Sequence, residues 1–417
     1  MLRQPSVTPR GDPRKPKEET IVKKLALSLA LMLLLSLCPA VAEGVNPYME
    51  TTVDSAALET LVYTNVDFGA GASLLRVKGA TDGELKIRVY LDSMEGKPFA
   101  TATFISATKE NRLNISLEGV HDLYFTFEGE GAFISWQAFT SQADINAAIR
   151  AERGVQYEDL VPAAYTKQAR QRGTIEKFVY EAHDWMGNNA LYEKNAFVYL
   201  PYGYDAAQTY DLLILCHGIG GSEYEWGMIN EDSKVKRIMD NMIENGEIRP
   251  FIVVTPNGRA GKAQDQTSFY RFDQELRNDL LPALAAKYAV DIADRNRCAM
   301  AGLSMGGMQT VNLGIGKCLD LFSAFGAFSA CPTTNPASIT AATLNAHPDL
   351  PVRVFYSICG TGDTIAYASA TAAVDTLEPM TAQLNEKNFI RQYVSGGHDF
   401  GVWYLGFYNF ARLIGGK

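Results

Sequence analysis

Apolar positions change rhythm along this chain. Between residues 49 and 140 they alternate with polar ones, as in SLLRVKG, ELKIRVYLD, FATATFI, RLNISL, DLYFTFEG and AFISWQAF. A period of two, broken by clusters of Gly, Asp and Asn, predicts half-buried antiparallel strands and a small all-β sandwich over residues 43–140. Residues 141–171 are polar and Ala-rich and predict a helical linker. From residue 172 the apolar runs become continuous: NAFVYLP, LLILCH, FIVVTP, CAMAGLS, FGAFSA, VRVFYSI and FIRQYV. Between them lie helix-length amphipathic stretches, among them SKVKRIMDNMIENG, FDQELRNDLLPALAAKY, YASATAAVDTLEPMTAQLNEK and VWYLGFYNFARLI. Strands apolar on both faces and separated by helices predict a doubly wound, mostly parallel α/β sheet over residues 172–417.

The N-terminus adds an export signal. Lys23 and Lys24 precede the uncharged run Leu25–Leu37, and CPAVAEG follows. A basic start, an apolar stretch and an Ala-x-Ala site predict a signal peptide over residues 1–42, cleaved after Ala42. The run is shorter than the roughly 20 residues a bilayer span needs, so no stable membrane association is expected after cleavage. Residues 1–20 are polar and Pro-rich, unlike the start of a signal, and place the true start near Val22.

Charge narrows the partners. The net charge is −9, and residues 1–42 hold seven Lys/Arg against three Asp/Glu, so the mature chain reaches −13. An acidic protein lacks the basic excess that neutralises phosphates, which argues against nucleic acid. After Cys38, five cysteines remain (216, 298, 318, 331 and 359), scattered and without metal spacing. They read as small buried thiols; one bridge, for example Cys331–Cys359, is compatible with the sequence, which does not fix the pairing. No HExxH or other clustered ligand pattern is present, so no metal or cofactor is expected.

The chemistry concentrates at CAMAGLSMGG, residues 298–307. An apolar strand runs into Gly-x-Ser-x-Gly and then into a helix-compatible stretch, the arrangement of a nucleophile elbow. Glycines flank Ser304 because the turn is too sharp for side chains on either side. The turn also brings the backbone N–H of Met305 to a helix start, where it can stabilise a developing oxyanion.

A serine hydroxyl needs a base to take its proton. Of the five histidines, His121 falls in the β-region, His183 in an early edge strand, His347 in a loop and His217 at a strand end in LCHGIGG. His398, in YVSGGHDFGVW, follows the last strand, where the chain order Ser…Asp/Glu…His puts the base. The acid belongs after a strand between the two, and VFYSICGTGDTIAYA presents Asp363 there. Asp399 adjoins the base and reads as its support. The loop HGIGG, residues 217–221, is placed to give the second oxyanion N–H, from Ile219 or Gly220.

Together FVYLPYGYD, YDLLILCHGIGGSEYEW, FDQELRNDLLPALAAKYAV, DRNRCAMAGLSMGGMQT, LFSAFGAFSA and GGHDFGVWYLGFYNF resemble the esterase D-like α/β-hydrolases. Within these the chain looks most like the secreted feruloyl and acetylxylan esterases of the first carbohydrate esterase family. The resemblance covers residues 172–417 and implies an α/β-hydrolase fold. It casts Ser304, Asp363 and His398 as the triad, and Met305 with the 217–221 loop as the oxyanion hole. Residues 60–140 are similar to family-six carbohydrate-binding modules, through YTNVDFGAG, LKIRVYLDSMEGKPFATATF, GVHDLYFTFEG and ISWQAF. Such modules are sandwiches that stack aromatic rings on sugars and often hold calcium; here Ser135 stands where an Asp is usual. Trp226 and Trp136 are the substrate-binding candidates, with Tyr63 a second aromatic of the front region.

The expectation is a secreted serine esterase that removes ester decorations from feruloylated or acetylated plant polysaccharide, feruloyl esters of arabinoxylan first. The alternatives are an acetylxylan esterase, a siderophore or thioester hydrolase, or a mycolyl-type acyltransferase of the same superfamily. Of another class is a non-catalytic carbohydrate-binding protein on the same scaffold.

Overall fold

The computed structural model describes residues 6–9, 49–55, 58–106 and 108–416. Of the expected signal peptide over residues 1–42 only residues 6–9 are described, and its cleavage after Ala42 and the start near Val22 lie outside the described residues. The chain divides into two compact units, Met1–Asp144 and Ile145–Lys417.

The first unit is a β-sandwich. One sheet is ordered Ser6–Pro9, Leu58–Asp67, Val120–Gly129, Glu84–Leu91 and Ala100–Ile105. The other is ordered Met49–Asp54, Ala132–Phe139, Ala72–Ala80 and Glu110–Leu117. Every pairing is antiparallel. Alternation along Glu84–Leu91 sends Leu85, Ile87 and Val89 inward, where they meet Phe104, Phe125, Phe133 and Trp136.

The second unit is built on eight strands: β1 Thr174–His183, β2 Leu191–Leu200, β3 Asp211–Cys216, β4 Phe251–Pro256, β5 Cys298–Leu303, β6 Ala324–Phe328, β7 Val354–Gly360 and β8 Phe389–Val394. Their order in the sheet is β1-β2-β4-β3-β5-β6-β7-β8. Both pairings of β2 are antiparallel and every other pairing is parallel. Strands β3, β4 and β5 are buried almost throughout, as continuous apolar runs require when both faces are covered. Helices Lys234–Glu244 and Phe400–Gly415 cover one face, joining Val235, Ile238 and Phe407 to Leu213, Val253 and Ala301. Phe272, Leu276 and Leu280 cover the other. Gly406 lets the last helix close on β6 and β7, because a Cβ there would lie 2.8 Å from Ile358 and 2.9 Å from Phe328.

Residues 141–171 are α-helical only over Gln142–Arg153. From Ile145 onward they belong to the second unit, and Asn146 Nδ2 donates to the carbonyl of Tyr393 in β8 at 2.6 Å.

Candidate active site

Strand β5 ends at Leu303, and Ser304 turns the chain into the helix Met305–Gln309 with φ 51° and ψ −111°. A non-glycine residue with positive φ is strained, and such strain collects where a side chain must be presented at a fixed point. The flanking glycines leave no room for substitution. A Cβ on Gly302 would lie 2.8 Å from the Cys216 carbonyl oxygen, and one on Gly306 would lie 2.6 Å from the same atom. Met305 is the first residue of the helix, so its N–H has no intrahelical acceptor.

Two loops from distant parts of the chain meet this serine. His398 follows β8, and its Nε2 lies 3.0 Å from Ser304 Oγ. Its Nδ1 lies 2.8 Å from Asp363 Oδ2, and Asp363 follows β7. The Asp363 side chain is buried, and its Oδ1 accepts from the N–H groups of Ile365 at 3.0 Å and Ala366 at 2.8 Å. Burial pushes this carboxyl up, but the Ala366 N–H and the His398 imidazole outweigh it and hold the group below its ordinary range. A carboxylate fixed by backbone donors therefore faces Nδ1, which makes Nδ1 the protonated nitrogen and leaves Nε2 to accept from the serine. Trp403 stands edge-on to the imidazole at 5.0 Å. Asp399 caps the last helix through Gly401 N–H at 2.7 Å and also accepts from Gly397 N–H at 3.0 Å, which ties down the loop that carries His398.

The loop 217–221 lies beside the serine: a Cβ on Gly218 would be 3.5 Å from Ser304 Cβ. Its carbonyls and one N–H are held. His217, buried, donates from Nδ1 to Gly218 O at 2.7 Å, and its Nε2 accepts from Gly258 N–H at 2.9 Å. Burial pushes His217 down to about 4, so the ring is neutral and can do both. Gly218 N–H donates to Glu225 Oε2 at 2.5 Å, and Arg259 donates to the carbonyls of Gly221 (2.7 Å) and Ile219. Burial pushes the Glu225 carboxyl up against the pull of that N–H and of Arg259. Ile219 is exposed, and open space surrounds the Cβ position of Gly220.

Other expected residues lie elsewhere. Trp226 is fully buried, donates from Nε1 to Cys216 O at 3.0 Å and packs on Phe400 and Phe407; it is a core residue behind the site and not a substrate contact. Trp136 is likewise fully buried, 5.5 Å from the Tyr63 ring and 5.9 Å from Phe125, so neither it nor Tyr63 offers a face to a sugar. The Cys331–Cys359 bridge is absent and all five described cysteines are buried free thiols. Cys359 Sγ instead lies 3.7 Å from Asp363 Oδ2, and Cys331 Sγ lies 3.2 Å from Met305 Sδ. His121 pairs with Asp92 and His183 with Asp279, each through Nδ1. Among the described residues no three His, Cys, Asp or Glu side chains converge on a common point. No helix among them is long and apolar enough to cross a membrane. Glu225, Arg259 and the bonds of His217 to Gly218 O and Gly258 N–H escaped the sequence reading. The only trace of the first was its place four residues after Gly221.

Relatives of known identity now bear on this geometry. Residues 191–408 match the family described as "Putative esterase", and residues 56–141 match the carbohydrate binding module of family 6. The chain is 31% identical over 265 residues to endo-1,4-beta-xylanase Y of Acetivibrio thermocellus, covering 58% of this chain and 23% of that protein. It is 37% identical over 126 residues to an endo-1,4-beta-xylanase/feruloyl esterase of Xylanibacter ruminicola, covering 28% of this chain and 17% of that one. The chain thus spans a quarter or less of these curated relatives. Among solved structures, the feruloyl esterase module of Clostridium thermocellum, a point mutant in complex with sinapinate, shares 26% identity at a TM-score of 0.52. The match covers 62% of this chain and 95% of that module. A ferulic acid esterase of Anaeromyces mucronatus, 22% identical at a TM-score of 0.52 over 62% of this chain and 97% of its own, shares the fold. With the family match running over more than half its length, the chain belongs to the esterase family, on an α/β-hydrolase fold preceded by a family-six-type sandwich.

Proposed function

We propose that this chain is an exported serine esterase that hydrolyses ester decorations on plant cell-wall polysaccharide, with feruloyl esters of arabinoxylan as its principal substrate. The observation that carries the reading is the line Ser304 Oγ–His398 Nε2 at 3.0 Å and His398 Nδ1–Asp363 Oδ2 at 2.8 Å, mounted on a strained turn between strand and helix.

The steps follow from the placement of the groups. His398 Nε2 takes the Ser304 proton as Oγ attacks the ester carbonyl carbon. The carbonyl oxygen becomes an oxyanion and receives the N–H of Met305 and an N–H of the 217–221 loop, from Ile219 or Gly220. Asp363 stabilises the imidazolium that forms. The protonated Nε2 then gives its proton to the leaving sugar oxygen, the C–O bond breaks, and an acyl-serine remains. Water, deprotonated by His398, repeats the cycle and frees the acid.

Three things support the acyl and sugar assignments. One relative is named a feruloyl esterase and another feruloyl esterase module was solved with sinapinate. Two exposed isoleucines, Ile219 and Ile365, sit on the loops proposed to carry the oxyanion N–H and the acid, and offer apolar surface to an aromatic acyl group. The family-six match over residues 56–141 supports a polysaccharide-binding unit ahead of the esterase. Export follows from the leader over residues 1–42, with cleavage after Ala42.

The test is a substrate panel: methyl ferulate, acetylated xylan, an acyl thioester and a ferric siderophore ester. The expected order puts kcat/KM for methyl ferulate at least tenfold above the rest. A tenfold preference for any other member would replace the feruloyl assignment with that member's class.

A further inference from the structure

We infer that Arg259, braced from behind by the buried Lys194–Glu275 ion pair, is a positioning residue that sets the oxyanion-binding loop 217–221; the inference rests on the esterase reading above.

The loop needs an external brace. Three of its five residues are glycine, and Ile219 is exposed. Glycine gives up more backbone freedom on ordering than any other residue, so such a loop is not rigid by itself. What holds it is contact with its peptide groups. Arg259 donates from one guanidinium nitrogen to Gly221 O and from another to Ile219 O. In a trans peptide the C=O of one residue and the N–H of the next point in opposite directions. Drawing Ile219 O toward Arg259 therefore turns the Gly220 N–H away from it. His217 does the same to the peptide before, where its hold on Gly218 O orients the Ile219 N–H. The two N–H groups available to an oxyanion are thus aimed by what grips the carbonyls behind them.

Arg259 is itself fixed. Lys194 Nζ donates to Arg259 O at 2.8 Å and to Asn257 O at 3.0 Å, and both Glu275 oxygens lie 2.7 Å from that nitrogen. Tyr180 Oη adds a bond to Glu275 Oε1 at 2.6 Å. Both members of the ion pair are buried, and such a pair adds little net stability because desolvation offsets the attraction. Its consequence here is placement: it pins the segment 257–259. Gln309 Nε2 holds Gly258 O at 2.8 Å on the other side, and the guanidinium rests 4.7 Å over the Phe269 ring. The brace thus runs from Glu275 through Lys194 to Arg259 and into the loop.

The experiment compares wild type, Arg259→Met, Arg259→Lys and Lys194→Met on methyl ferulate, well below each protein's melting temperature. It also measures binding of ferulate and of a boronic acid, whose tetrahedral adduct with the Ser304 oxygen presents an oxyanion-like hydroxyl to the loop. Loss of one oxyanion donor costs about 10²–10³ in kcat, so misplacing rather than removing it should cost Arg259→Met about 10–100-fold. The boronate affinity should fall by the same factor as kcat/KM while KM and ferulate binding stay within threefold. Arg259→Lys keeps the charge but cannot reach both carbonyls, and should fall several-fold. Lys194→Met should follow Arg259→Met. Folded Arg259 variants with kcat and boronate affinity within twofold of wild type overturn the inference, and if only the lysine variant folds, its unchanged kcat does so. A wild type inactive on every ester of the substrate panel would instead overturn the esterase reading.

Discussion

Gly302 and Gly306 touch across the turn that carries Ser304: a methyl on Gly302 would sit 2.7 Å from the carbonyl carbon and 2.8 Å from the Cα of Gly306. Both also face the Cys216 carbonyl, so strand β3, strand β5 and the following helix meet with nothing between them. Gly302→Ala or Gly306→Ala should therefore push the helix start away from β3. Overpacking of this kind costs about 1–3 kcal/mol. We expect a lower melting temperature together with loss of ester cleavage, measured by thermal unfolding and by methyl ferulate hydrolysis.

Ser304→Ala removes one oxygen at the surface of the site and leaves the turn in place. Ester cleavage should drop by at least about 10³-fold, the scale on which triad members contribute, with the melting temperature held within a few degrees. Activity that survives above that level would show that another group attacks the ester.

Asp363→Asn replaces a carboxylate that faces a ring nitrogen and two backbone N–H groups. The amide can present its own N–H to Nδ1 and so favour the wrong tautomer, with a loss of about 10³–10⁴ in kcat. The pH behaviour is also defined. The folded carboxyl lies below its ordinary value of 3.8, so its contribution to stability is present above that value and is lost as pH falls through the lower folded value. Wild type and Asp363→Asn should converge in stability only in strong acid, as read by denaturant unfolding at a series of pH values.

His217 works in the same sense, in a higher pH range. Its folded value of about 4 lies below the ordinary 6.5, so the unfolded chain binds the extra proton first. Stability is full above 6.5 and falls as pH drops toward 4, by about 3 kcal/mol in all. His217→Gln has no proton to gain and should flatten that segment of the pH–stability curve. A slope between pH 6.5 and 4 that survives the substitution unaltered would assign it to other groups.

Trp136 lies at the centre of the sandwich, in contact with the rings of Tyr63 and Phe125. Trp136→Ala should unfold or loosen the front unit, with a cost of about 3–5 kcal/mol, rather than weaken sugar binding in a folded one. Near-ultraviolet circular dichroism and xylan pull-down, run side by side, separate these outcomes.

The meeting of Ser304, Asp363 and His398 could be read in advance because each signal is local or ordinal. The glycine spacing marks the elbow, and strand ends in chain order mark the acid and the base. Only five histidines had to be weighed. The two tryptophans could not be read this way, since a ring's exposure depends on what packs over it. Trp226 is enclosed by Phe328, Phe400 and Phe407, residues at least a hundred positions away. Helix Ala337–Ala346 was missed because ASITAATLNA is mostly small residues and shows no apolar stripe. The stretch beginning at Tyr367 ends its helix at Val374, and Pro379 then falls in a separate 3₁₀ turn. Lys194 and Glu275 sit among other charged and polar residues, in LYEKN and FDQELRND, and nothing in sequence separation tells that they meet.

The five sulfhydryls of the described fold have one more implication. They are enclosed, and burial holds Cys298, Cys318 and Cys359 up near 12. Almost none of the sulfur of these three is ionised at neutral pH, and only the ionised form exchanges with glutathione or attacks another sulfur. Once folded, the esterase unit should therefore keep its activity equally well with or without dithiothreitol.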